Sequence, residues 1–243
     1  MLGCFLVAEL VFIAASVAVV LPTLVATPHP GPGMRLPGSV LVAALVVPTV
    51  AAGLVALVGA ALLGQGNLLE RLRSQLSMRW RALDVGIGLA LGVLGLAVSV
   101  PASMVWASWV GESEANSAVG EVFRGLRLPL GWGLALFFAV WLVAPACEEL
   151  LYRGALWRAM EYWRWNRWMI FGLTTVLFSL AHPLFAWSHT ELLRTPLLVV
   201  ISLPLAFARL LTGNLLASIV VHQVNNFLPA IGLLILTQSA VPV

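Results

Sequence analysis

GWGLALFFAVWLVAPACEELLYR, residues Gly131 to Arg153, decides how the chain is built. From Gly131 to Ala146 the stretch carries no charge and is apolar enough to lie in a bilayer. Two adjacent carboxylates, Glu148 and Glu149, follow at once, and then a guanidinium, Arg153. Ionisable groups at membrane depth are costly and persist mostly where they face a protein interior or a wet cavity. A functional site is therefore expected, with polar partners at similar depth in other spans. His182 and the pair His222 and Asn226 are those partners.

Composition sets the class. Of 243 residues, 61% are hydrophobic and 9% charged, and the mean hydropathy is +1.01. Soluble domains carry roughly 25% charged residues, so an integral membrane protein is expected. All 13 basic residues are arginine, and they cluster beside the apolar runs. The net charge of +3 thus fits topology and anionic headgroups. It does not suggest nucleic acid. Cys4 and Cys147 both lie in apolar segments, with the spacing of neither a disulfide framework nor a metal knuckle. Met1-Leu2-Gly3 lacks the basic start of a secretory signal, and the apolar run behind it is about the ~20 residues a bilayer-spanning helix needs. It is expected to stay as the first span.

Seven spans are expected: 2–25, 39–63, 85–110, 130–162, 168–182, 195–211 and 214–238. The predicted fold is an all-α polytopic transmembrane helical bundle in a single membrane domain, 1–243. Residues 1–128 would give scaffold and access, and 129–238 the chemistry. Arg71, Arg73, Arg79 and Arg81 suggest an amphipathic surface helix between the second and third spans, or a basic substrate-binding patch. Pro145 is expected to kink the fourth span, and Pro183 to close the fifth. Arginines on one side, and Glu112, Glu114 and Glu121 on the other, put the N-terminus in the cytoplasm. A short membrane domain without a targeting sequence suggests a bacterial inner membrane.

The polar residues can meet. At 1.5 Å per residue, Glu149 lies ~13 Å inside Arg158, His222 ~12 Å past Asn214, and His182 at most ~22 Å from Arg167. All three fall in the middle or one half of a ~30 Å hydrocarbon core. Glu149 and Arg153 stand at i,i+4, the favourable order for a helical ion pair. Glu148 then points about 100° away, toward the other polar residues. Glu9 is expected to pack between helices, and so is Cys147. His189, in an outer loop, and Arg209, near an inner boundary, are left out of the site.

Glu148-Glu149-x-x-x-Arg153, Phe178-x-x-x-His182 and His222-x-x-x-Asn226 resemble, in order and spacing, the three motifs of the CPBP intramembrane proteases. That family includes the CaaX prenyl endopeptidases and bacterial Abi-like proteins for bacteriocin processing and immunity. The resemblance covers roughly Leu130 to Leu236. It implies an intramembrane endopeptidase acting on a membrane-anchored protein or peptide, such as a leader or a C-terminal sorting tail. In it, Glu148 and His182 would activate water, Glu149 and Arg153 would hold the motif helix, and His222 and Asn226 would stabilise the oxyanion. No cofactor is favoured. A zinc version would use Glu148, His182 and His222 with an open position for water. The histidines lack HExxH spacing. A small transporter or proton relay predicts matched broken halves, which the sequence does not have. A non-catalytic scaffold predicts a lost motif residue, and none is lost.

Overall fold

The computed structural model describes residues 1–27, 35–111, 117–186 and 189–239, and these are almost wholly helical, with no strand among them. The helices are α1 (Leu2–Ala26), α2 (Gly38–Leu63), α3 (Leu68–Leu76), α4 (Ala82–Val110), α5 (Ala118–Phe123), α6 (Leu130–Tyr162), α7 (Arg167–Ala186), α8 (His189–Thr212) and α9 (Leu215–Ser239). Among the described residues, six helices are long and apolar enough to cross a membrane: α1, α2, α4, α6, α8 from Leu192, and α9. The expected fifth span is present as α7, a 20-residue helix packed on α8 that is not one of those six. Glu112 and Glu114 lie outside the described residues, whereas Glu121 pairs with Arg124 at the end of α5.

Close approach of backbones organises the packing. Lipid gives helices no hydrophobic reason to associate, so small residues at the contacts matter most. On α2, Ala52, Ala56 and Ala60 recur every fourth residue and are fully buried. Between them, a methyl group on Gly53 would sit 2.7 Å from the Cys147 sulfur of α6. Both cysteines thus fill helix contacts, with Cys4 of α1 seated on Gly59. On α4, Gly88, Gly92 and Gly95 face Val220, Val224 and Asn225 of α9. A side chain at Gly92 would meet the Val224 Cβ at 2.7 Å. Gly92→Ile is accordingly expected to destabilise the protein by about 1–3 kcal/mol through overpacking, read as a lowered unfolding temperature in detergent. An unchanged transition would remove this contact from the account.

The core gathers around the second half of α6. Leu150, Leu151, Tyr152, Leu156, Trp157 and Met160 pack with Leu76 of α3, Ile170 and Phe178 of α7, Leu210 of α8 and Leu215 of α9. Large apolar side chains elsewhere point outward, from Leu10 and Val25 on α1 to Leu62 on α2 and Trp109 on α4. That is the pattern of a bundle bathed in lipid.

Two sequence expectations change here. α7 runs through Pro183 to Ala186, because a proline one turn from a helix end forfeits only a single backbone bond. His189, placed in a loop by the sequence, opens α8. The expected amphipathic helix is α3. It starts with a reciprocal cap, Asn67 N–H donating to Glu70 Oε2 (2.9 Å) and Glu70 N–H to Asn67 Oδ1 (3.1 Å). Arg71 reaches back to the last carbonyls of α2, with Nη1 2.8 Å from Ala61 O.

Candidate active site

The acidic pair sits on a helix whose winding widens twice. Along α6 the backbone adopts the wider i→i+5 pattern over Ala139–Val143, returns to α over Ala144–Glu149, and widens again over Leu150–Leu156. Short π-helical turns of this kind are rare and recur at functional sites. Pro145, where the sequence suggested a kink, stands directly after the first wide turn and opens the α-helical piece, where its missing N–H costs little. A carbonyl displaced by a wide turn needs an outside donor, and α8 and α9 provide three. Asn226 Nδ2 donates to Val140 O (3.1 Å) and Gln223 Nε2, more weakly, to Leu142 O (3.5 Å). Arg209 Nε donates to Arg153 O (3.0 Å). Glu148 and Glu149 are therefore held between two pinned turns.

The two carboxylates have different surroundings. Glu149 is fully buried, and its Oε1 accepts from Arg153 Nη1 and faces His222 Nδ1, each at 3.0 Å. Arg153, also fully buried, donates from Nη2 to Ser202 Oγ of α8 (2.6 Å) and lies over the Phe178 ring, 4.5 Å from its centroid. Glu148 keeps 31% of its side chain exposed and brings Oε2 to 3.7 Å from His222 Nε2. The i,i+4 pair and the outward turn of Glu148 both follow the helical spacing of the sequence.

The histidines gather around one ring. Phe178 meets His182 edge-on at 4.8 Å between centroids, His222 at 5.6 Å and Tyr152 at 5.3 Å. His182 Nδ1 lies 2.9 Å from Phe178 O. A carbonyl only accepts, so Nδ1 carries a proton, and Nε2 is the ring nitrogen left for other partners. His222 turns Nδ1 to the Glu149 carboxylate and Nε2 toward Glu148. Asn226 spends one amide hydrogen on Val140 O and keeps a second. No group of three His, Cys, Asp or Glu side chains that could hold a metal ion occurs among the described residues.

Three contributors escape a reading of the sequence. Arg209, set aside there as an interfacial charge, is 2% exposed and joins Arg153 O to Ser77 Oγ (2.9 Å) while lying over Trp157. Ser202 reads as an ordinary polar residue in a span. Glu9 of α1 packs as expected, but its partner is the motif helix, with Tyr152 O–H donating to Oε1 at 3.3 Å. Only the burial of arginine in an apolar span could have signalled the first. Lysine cannot make both bonds of the Arg209 fork. Arg209→Lys is therefore expected to lower turnover about tenfold with KM changed less, measured on the purified protein. Full activity in that variant would remove the clamp from the mechanism.

Comparison with known proteins gives a family match over the second half of the chain. Residues 130–228 match the family model of Rce1-like proteins, type II CAAX prenyl endopeptidases. The matched segment runs from the start of α6 into α9 and contains all three motifs. It is a peptidase family, so this segment is that of a CPBP intramembrane endopeptidase and the protein is an integral membrane enzyme. No curated protein and no solved structure matches the chain.

Proposed function

With residues 130–228 belonging to a family of intramembrane endopeptidases, we propose that the chain hydrolyses a peptide bond in a membrane-associated protein or peptide by glutamate-activated water. One observation carries the choice of base: Glu148 is open to solvent and ligand, whereas Glu149 is sealed by Arg153 and His222. Glu148 takes a proton from water, and the hydroxide adds to the scissile carbonyl carbon. The negative charge passes to the carbonyl oxygen, where the free Asn226 hydrogen and a His222 ring N–H are the donors at hand. The proton held by Glu148 then goes to the departing amide nitrogen, leaving an acid and an amine. His182, through Nε2, orients the water. Helices α1 to α5 act as scaffold and access. The substrate class we favour is a bacterial leader, membrane-anchored regulator or sorting tail, cut in the cytoplasmic membrane with the N-terminus of the enzyme inside.

A zinc-dependent form of the same site would draw on Glu148, His182 and His222 and supply Lewis acidity to the same water. We favour the metal-free form because an asparagine is a poor zinc ligand and a good oxyanion donor, and the histidines lack HExxH spacing. The test is proteomic: membranes from cells expressing wild type or Glu148→Gln are compared for new termini, with metal measured in the purified protein. Termini that depend on Glu148 support the proposal. One equivalent of zinc, lost with His182→Ala, would overturn the metal-free form.

A further inference from the structure

A second feature lies at the corner between α3 and α4, away from the acidic pair. An open cleft of about 490 Å³ is lined by Glu70, Arg73, Ser74, Arg79, Trp80 and Arg81. The backbone beneath it is fixed. Arg79 N–H donates to Asn214 Oδ1 (3.1 Å), Asn214 Nδ2 donates to Arg79 O (2.6 Å) and to buried Asp84, and Leu215 N–H donates to Ser77 O (3.1 Å). The turn at Ser77 is left-handed, with φ +54°, and its hydroxyl receives Arg209. What remains free is the set of exposed side chains.

Those side chains have one chemistry. The guanidinium groups of Arg73, Arg79 and Arg81 have no ion-pair or hydrogen-bond partner among the described residues. The one carboxylate in the cleft, Glu70, is engaged by the cap of α3 through Oε2. Trp80, which lines the cleft, is 81% exposed, and leucines of the same segment also turn outward: Leu83 is 73% exposed, Leu69 62% and Leu68 60%. Guanidinium groups beside an exposed indole, on a segment that also exposes leucines, suit the boundary between headgroups and acyl chains, where arginine meets phosphate and the apolar groups enter the chains. A soluble anion would satisfy the arginines and leave the tryptophan and leucines in water. We propose that this cleft binds the phosphate of an anionic phospholipid at the membrane surface.

The test uses the whole protein in neutral detergent, loaded with equal amounts of phosphatidylglycerol and phosphatidylcholine and then washed. Wild type is expected to retain phosphatidylglycerol preferentially. Arg73→Gln/Arg79→Gln/Arg81→Gln should reduce that retention about tenfold or more, since each basic residue near an anionic surface contributes measurably to binding. Arg35→Gln/Arg127→Gln, outside the cleft, should not. Equal retention of the two lipids, or undiminished retention in the triple variant, overturns the proposal. Complete displacement by millimolar inorganic phosphate, or by a soluble oligoglutamate, also overturns it, because the site would then belong to a free anion or an acidic peptide. The melting temperature of the triple variant separates lost binding from lost fold, and a folded variant with lost retention supports the proposal.

Discussion

Glu148→Gln is expected to lower turnover about 10²–10⁴-fold, the usual contribution of a positioned general base, while thermal unfolding stays within about 0.5 kcal/mol of wild type. The neighbouring change, Glu149→Gln, should do the reverse first. It removes the charge that compensates buried Arg153, so stability falls and activity follows it. The contrast rests on exposure: the Glu148 side chain is partly open at 31%, and that of Glu149 is closed at 0%. Rates of a reporter peptide and unfolding curves on the same two preparations distinguish the roles. A Glu148→Gln protein that still turns over at the wild-type rate would end the assignment. So would a Glu149→Gln protein as stable as its parent.

Arg153→Met carries the largest expected loss of stability. Removing one member of a buried ion pair costs about 3–5 kcal/mol, because the other charge is left in the interior without compensation. Here the stranded group is Glu149, and Ser202 Oγ and the Phe178 ring lose their partner as well. The unfolding transition in detergent should drop by that amount or the protein should fail to accumulate. Glu149→Gln/Arg153→Met leaves no charge behind and should recover much of the loss. If the double variant is as unstable as the single one, shape rather than charge balance holds this region, and the pair has been given too much weight.

Much of this site was legible in the chain. A helix repeats every 3.6 residues, so the spacing of Glu149 and Arg153 and the divergence of Glu148 follow from local geometry. Depth counting brought His222 to the acids, and the structure sets it 3.0 Å from one and 3.7 Å from the other. The clamps from other helices were not legible. Arg209 looks like a headgroup anchor in sequence because a single arginine near a span end usually is one. Its burial against Arg153 O depends on where α8 passes α6, which no local pattern records. The wide turns were hidden for the same reason, since their displaced carbonyls are satisfied by Asn226, Gln223 and Arg209 from distant positions. Pro183 misled in the other direction, as a local stop signal that an almost finished helix ignores.

The winding of α6 also has a bearing on how this enzyme tolerates insertions and deletions. A π turn accommodates one residue more than an α turn, so Ala139–Val143 sets the phase of everything after it. Excising a single residue there would relax the helix to ordinary winding and leave the downstream half nearly in phase, whereas excising one from the α-helical residues 144–147 would swing everything after it by about 100°. Glu148 would then leave the face it shares with His222, and a neighbour would take its place. A chain shortened by one amino acid could keep every motif letter, every span and its fold, and still be inert.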